Sequence, residues 1–150
     1  MQTVRAKPFT AQRNAVVARR SRSVRLAVQC KATTPKKILM MGGTRFIGVY
    51  LARQLVEEGH EVTLYTRGKK AITYKIADDT AAGYDQFAKS VKHIAGDRQD
   101  FADVEAKLKG RGFQVVYDIN GREAAESEPL IKALKPSLEQ YIYCSSAAYG

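Results

Sequence analysis

From Lys36 onward, short apolar runs alternate with amphipathic stretches. "KKILMMG" is continuously apolar and ends in glycine, the pattern of a parallel strand buried on both faces. In "FIGVYLARQLVEEG", Ile47, Leu51 and Leu55 recur at helical spacing with Gly48, Ala52 and Val56 beside them, and Gly59 closes the helix. "HEVTLYTRG" and "VKHIAGD" read as a second and a third strand. "DFADVEAKLKGRG" predicts a helix capped by Asp100, with Phe101, Val104 and Leu108 on its inner face and Gly110 as its stop. "FQVVYDING" is a fourth strand. In "SEPLIKALKP", Pro129 suits the first turn of a helix whose Leu130, Ile131 and Leu134 face inward. "EQYIYCSS" is a fifth strand, in which Cys144 reads as a buried position.

Strands alternating with helices imply an α/β fold, a doubly wound parallel sheet of Rossmann type. Residues 68–91 are too long for a tight connection and predict a surface excursion with a short helix over Tyr84–Ser90. The chain stops just past the fifth strand, where folds of this kind continue. The expectation is therefore the N-terminal portion of such a domain, over residues 36–150.

Charge separates the first quarter from the rest. The chain has a net charge of +10. Ten of its basic residues lie in residues 1–37, which hold no Asp or Glu, and the remainder carries fifteen of each sign. Residues 1–35 are Arg-rich and acid-free, the composition of a disordered organelle transit peptide, with a cut near Cys30. A permanent basic arm is the alternative. Residues 11–28 match a basic amphipathic helix. No apolar run is long enough for a secretory signal or a membrane span. Composition alone does not separate chloroplast from mitochondrion. With the leader gone, Cys144 is the only cysteine, which suits a reducing compartment. No Cys/His spacing suggests zinc, so no metal-binding residue is assigned.

The candidate chemistry lies in "MMGGTRFIG". Gly42, Gly43 and Gly48 sit between a strand and a helix, the context that makes a glycine turn a dinucleotide-binding turn. Gly42 allows the tight turn and Gly48 lets the helix approach the strand. Arg45 stands where the middle glycine usually lets backbone approach a pyrophosphate, with Phe46 and Ile47 opening the helix. The arginine can swing out and pair with a phosphate, fill the pocket, or serve a larger phosphate-bearing ligand.

Each of the first four strands is followed by an arginine: Arg45, Arg67, Arg98 and Arg122. A row of guanidinium groups at the carboxyl edge suits phosphates. The bland alternative is loop arginines neutralised by Asp97, Asp100, Asp118 and Glu123. After the second strand, Thr66 and Arg67 stand where an NAD site usually places an acid, which predicts NADP over NAD.

Together, "KKILMMGGTRFIG", "GDRQD" and "YIYCSS" resemble the extended short-chain dehydrogenase/reductase superfamily, in its atypical branch. More closely, "GGTRFIG", "VTLYTRGK", "VVYDINGRE" and "LEQYIYCSSA" resemble the chloroplast stem-loop-binding protein family, from about Lys37 to Ala147. That resemblance implies a plastid protein that binds stem-loop RNA and ribosomal RNA. It also implies action as, or with, an endoribonuclease and association with plastid ribosomes, and a homo- or hetero-oligomer is expected. By position, Asp97 matches the acid that contacts adenine, and Ser146 matches the superfamily's catalytic serine. The ending "AAYG" runs one residue short of the superfamily's Ser-x-x-x-Tyr spacing counted from Ser146. Tyr65 and Lys69 have the spacing of the superfamily's Tyr-x-x-x-Lys pair but lie at a strand end, where i and i+4 share no helical face.

Two functions stand side by side. The first is a plastid RNA-binding protein on a dehydrogenase-derived scaffold, with Mg²⁺ if it cleaves. Its basic face would be the strand-end arginines with Lys69 and Lys70, and its stacking aromatics Tyr65, Tyr74 or Tyr84. The second is an NAD(P)-dependent oxidoreductase or sugar-nucleotide epimerase.

Overall fold

A computed structural model of the chain describes residues 34–69 and 80–145. Its strands are β1 (Lys37–Met41), β2 (Glu61–Thr66), β3 (Lys92–Ala95), β4 (Val115–Asp118) and β5 (Gln140–Tyr143). The helices between them are α1 (Ile47–Glu57), α2 (Ala81–Ser90), α3 (Phe101–Leu108) and α4 (Ala124–Leu134). All pairings are parallel and the strand order is β3-β2-β1-β4-β5. The most apolar run is thus the central strand, and the order reverses beside it, between β1 and β4. In open α/β sheets that reversal opens a crevice for ligands at the carboxyl ends of the strands.

Strand alternation divides the core into two layers. Ile38 and Met40 pack with Val49, Ala52, Leu55, Val62, Leu64 and Phe87 on the side of α1 and α2. Leu39 and Met41 pack with Tyr65, Val104, Leu108, Phe113, Val116, Leu130 and Leu134 on the side of α3 and α4. The outermost strands are far less covered.

The caps follow local chemistry. The Asp100 side chain accepts from the Asp103 amide at 3.1 Å and starts α3, as the sequence predicts. Thr80 does the same for α2 through the Gly83 amide, so that helix begins before Tyr84. Residues 70–79 of the predicted excursion lie outside the described residues, as do Lys70, Tyr74 and the leader 1–33.

Expectations at five residues are corrected. Ile47 and Phe101 are exposed, because each opens a helix at the carboxyl edge, where the first turn has no sheet beneath it. Pro129 lies inside α4 rather than in its first turn, since the helix already begins at Ala124. Ile131 is partly exposed beside the buried Leu130 and Leu134. Cys144 is exposed, because β5 ends at Tyr143, one residue before it.

Candidate functional site

The turn after β1 folds as its glycines require. Gly43 has φ +92°, and a Cβ there would meet Leu64 Cδ2 at 2.8 Å. Gly48 packs so closely that a Cβ would lie 2.6 Å from both Gly43 Cα and Ile119 Cδ1. The glycine spacing therefore serves the contact of α1 with the turn and with the loop after β4.

The carboxyl ends of β1, β2, β3 and β4 open onto a cleft of about 650 Å³. That lies within the range of small-molecule sites, roughly 300–1,000 Å³. Its walls include Gly42, Arg45, Arg67, Lys69, Asp97, Arg98, Asn120 and Arg122. The structure thus gathers all four strand-end arginines in one place. Arg45 is exposed on the wall and leaves the cleft open, so it does not fill the groove that its side chain threatened to occupy.

The four arginines are not equivalent. The Arg98 guanidinium is nearly buried and grips the Asp118 carboxylate through two hydrogen bonds, Nη1 to Oδ1 at 2.8 Å and Nη2 to Oδ2 at 2.9 Å. Nη1 also donates to Asn120 Oδ1 at 2.7 Å. Nε lies 3.1 Å from Glu126 Oε2, an ion-pair distance without hydrogen-bond geometry. With both Nη atoms donating inward, Arg98 holds the loop after β3 against β4 and α4. Arg98 is thus paired with Asp118 while it still lines the cleft.

Asp118 is fully buried and also accepts from Tyr141 Oη at 2.5 Å and Ser127 Oγ at 3.2 Å. Burial by itself pushes its carboxyl up. The hydrogen bonds from Arg98 and Tyr141, with the guanidinium charge, outweigh burial and hold it below the usual carboxylate range. Burial and the Asp118 hydrogen bond push the Tyr141 phenol up. Sequence reasoning placed Asp118 near the arginines but did not single out Ser127 or Tyr141. A charged residue closing the apolar run "VVYD" was the available signal.

Arg45, Arg67, Lys69 and Arg122 are exposed, and among the described residues no carboxylate pairs with their side chains. Thr66, at the end of β2, is occupied by its neighbours. Its Oγ1 lies 2.6 Å from His93 Nε2 and accepts from the Gly68 amide at 3.2 Å. Among the described residues, no acid lines the cleft at the end of β2. Asp97 is exposed on the cleft wall, its Oδ1 accepting from the Gln99 amide at 3.1 Å. Tyr65 is core rather than a stacking surface: its ring is buried, and its hydroxyl donates to Asp103 Oδ2 at 3.2 Å. Tyr84 is half-buried. Phe46 and Ile47 stand outside the lining, with Phe46 at φ +47°, a conformation that strains a bulky residue. Ser146 lies outside the described residues, while Ser145 is exposed.

Among the described residues, no three His, Cys, Asp or Glu side chains cluster to hold a metal ion, and no helix is long and apolar enough to cross a membrane.

Three comparisons bear on this arrangement. Residues 38–150 match the NAD dependent epimerase/dehydratase family. The chain is 54% identical over 121 residues to the chloroplast stem-loop binding protein of 41 kDa b, chloroplastic, of Arabidopsis thaliana, a match covering 81% of this chain and 32% of that protein. The chain thus spans about a third of the length of the curated relative it matches. It superposes on the UDP-Glc/GlcNAc 4-epimerase of Campylobacter jejuni with a TM-score of 0.56 at 18% identity, over 72% of this chain and 36% of that one. It also superposes on the UDP-glucose-4-epimerase of Stenotrophomonas maltophila with bound NAD and formylated UDP-arabinopyranose, with a TM-score of 0.53 at 15% identity, over 75% and 37%. At such identities the two epimerases speak for the fold alone.

Proposed function

This chain belongs to the NAD dependent epimerase/dehydratase family, and on that scaffold we propose that it is an RNA-binding protein which holds stem-loop transcripts at the carboxyl-edge cleft. Its compartment is the chloroplast. Residues 1–35 act as the transit peptide in this reading. The relative's name speaks of stem-loop binding. The observation that carries the reading is the set of exposed cations, Arg45, Arg67, Lys69 and Arg122, facing one open cleft without carboxylate partners among the described residues. Sugar-phosphate backbones are bound through such groups, with release of counterions. The body of the chain is charge-balanced, so a local basic face has to supply the attraction.

Cleavage of the bound RNA with Mg²⁺, ribosomal RNA and plastid ribosomes as partners, and homo- or hetero-oligomers complete the proposal. The test of binding is a salt titration of stem-loop RNA affinity with the full-length protein. Replacing Arg45, Arg67 and Lys69 together by Gln is expected to weaken binding and lower the salt slope by about 2, at roughly 0.7 per phosphate contact on single strands. An unchanged slope sinks this placement. Cleavage is checked on the same RNA with Mg²⁺ and with a chelator.

The second reading is an NAD(P)-dependent oxidoreductase or epimerase, and the glycine cradle favours it. Gly42 lines the cleft without a side chain, Gly43 and Gly48 let α1 start close against the turn, and Arg45 leaves the cleft open, so the residues present fit a dinucleotide. A bound nicotinamide would supply hydride transfer. The turn would hold the pyrophosphate, Asp97 the adenine, Arg67 a 2′-phosphate, and Ser146 would serve the substrate. Calorimetric titration with NADP and NAD separates the readings. Saturable binding supports the dinucleotide site, and its absence alongside tight RNA binding leaves the turn as scaffold.

A further inference from the structure

The exposed apolar surface of this fold is concentrated beside the cleft. Phe46 is 81% exposed, Ile47 65% and Tyr50 55%, the highest values among the large hydrophobic side chains of the described residues. All three sit at the start of α1. Phe46 is the residue that caps α1, and Tyr50 lies in its first turn four residues on, apart from the buried Gly48, Ala52 and Leu55. Phe46 follows directly on Arg45, which lines the cleft, so the aromatic surface begins where the basic wall ends. Neither ring contributes to the core clusters.

Resting on the RNA-binding reading above, we propose that Phe46 and Tyr50 form a stacking platform for unpaired bases of a stem-loop, while the neighbouring cleft cations hold the phosphates of the same strand. Surfaces that take single strands combine a basic groove with aromatic rings, since every base presents a π-face. The charge here is complementary to such a strand. Arg45, Arg67 and Lys69 supply cations, whereas a protein partner would need only the apolar side chains. A paired stem cannot use the rings, because its bases are already stacked and its major groove is narrow. The platform therefore selects the loop of a stem-loop rather than its stem.

The test measures affinity of the full-length protein for three RNAs: a hairpin, a blunt duplex of the same stem, and the single-stranded loop sequence. Phe46→Ala and Tyr50→Ala are each expected to weaken hairpin and loop binding about fivefold or more, with duplex binding and the salt slope unchanged. Phe46→Trp keeps a stacking surface and is expected to retain affinity, whereas Phe46→Leu keeps only apolar bulk and is expected to lose it. Both rings are exposed, so thermal unfolding checks that the variants fold. Hairpin affinity within about twofold of the parent in both alanine variants overturns the platform. So does equal weakening of the duplex, or a change of oligomeric state with RNA affinity intact, which would make the patch a protein-docking surface. If the unsubstituted protein binds none of the three RNAs, the RNA-binding reading itself falls. Binding that only the cation variants weaken leaves that reading standing and removes the platform.

Discussion

Arg98 and Arg67 reach the same cleft with opposite commitments. Arg98 spends its donors on Asp118 and Asn120, while Arg67 faces solvent. The spacing of arginines after strands was visible in the sequence. Which arginine was free was not, because Asp118 lies 20 residues from Arg98 and 23 from Tyr141, and only the sheet brings the three together. Asp118→Asn should destabilise the fold by about 3 kcal/mol, since it removes the bidentate partner of the nearly buried guanidinium and leaves only Glu126 beside it. Urea unfolding at neutral pH checks this. The pH dependence has a definite sign. The folded carboxyl is held below its usual value of 3.8. Its contribution is therefore fully present above that value and is lost as pH falls through the folded one. The parent should lose stability steeply at the acid end, and the Asn variant should lack that part of the slope.

Among the elements, periodicity located each described helix but misjudged the burial of the first turns of α1 and α3. In a parallel sheet every helix leaves from the carboxyl edge, so its first turn faces the cleft rather than the strands. Ile47 and Phe101 continue an apolar stripe in sequence and still stand in water. Gly48, by contrast, was read correctly as the point of close approach. Gly48→Ala should cost roughly 1–3 kcal/mol, because the nearest neighbour is backbone and cannot swing away. A lowered midpoint of thermal unfolding, together with weaker nucleotide or RNA binding, is the expected result. Pro129 sits in the sixth position of α4, where its missing amide cannot bond the Ala125 carbonyl. Pro129→Ala should therefore stabilise the fold by about 2 kcal/mol, the helix-interior penalty less the entropy returned to the unfolded chain. Denaturant titration gives the sign directly, and a loss of stability would mean that the proline ring is needed for packing.

For the molecule as a whole, charge placement decides what the fold can bind. The body carries equal numbers of acids and bases, yet Arg45, Arg67, Lys69 and Arg122, unpaired with carboxylates among the described residues, meet at the carboxyl edge where strand order reverses. If a dinucleotide enters, the missing acid at the end of β2 favours NADP over NAD, and Arg67→Gln should narrow that preference. Calorimetry with both nucleotides measures it, and NAD binding as tightly as NADP would refute it. The sequence by itself determined the order of strands and helices, the glycine turn and the row of basic residues, because these depend on local backbone geometry and short-range periodicity. Only the tertiary structure decided which charges were spent and which stayed open. Burial and pairing are set by neighbours distant in the chain: Asp118 takes Arg98 inward, His93 occupies Thr66, and the end of the sheet leaves Phe46 and Tyr50 uncovered beside Arg45.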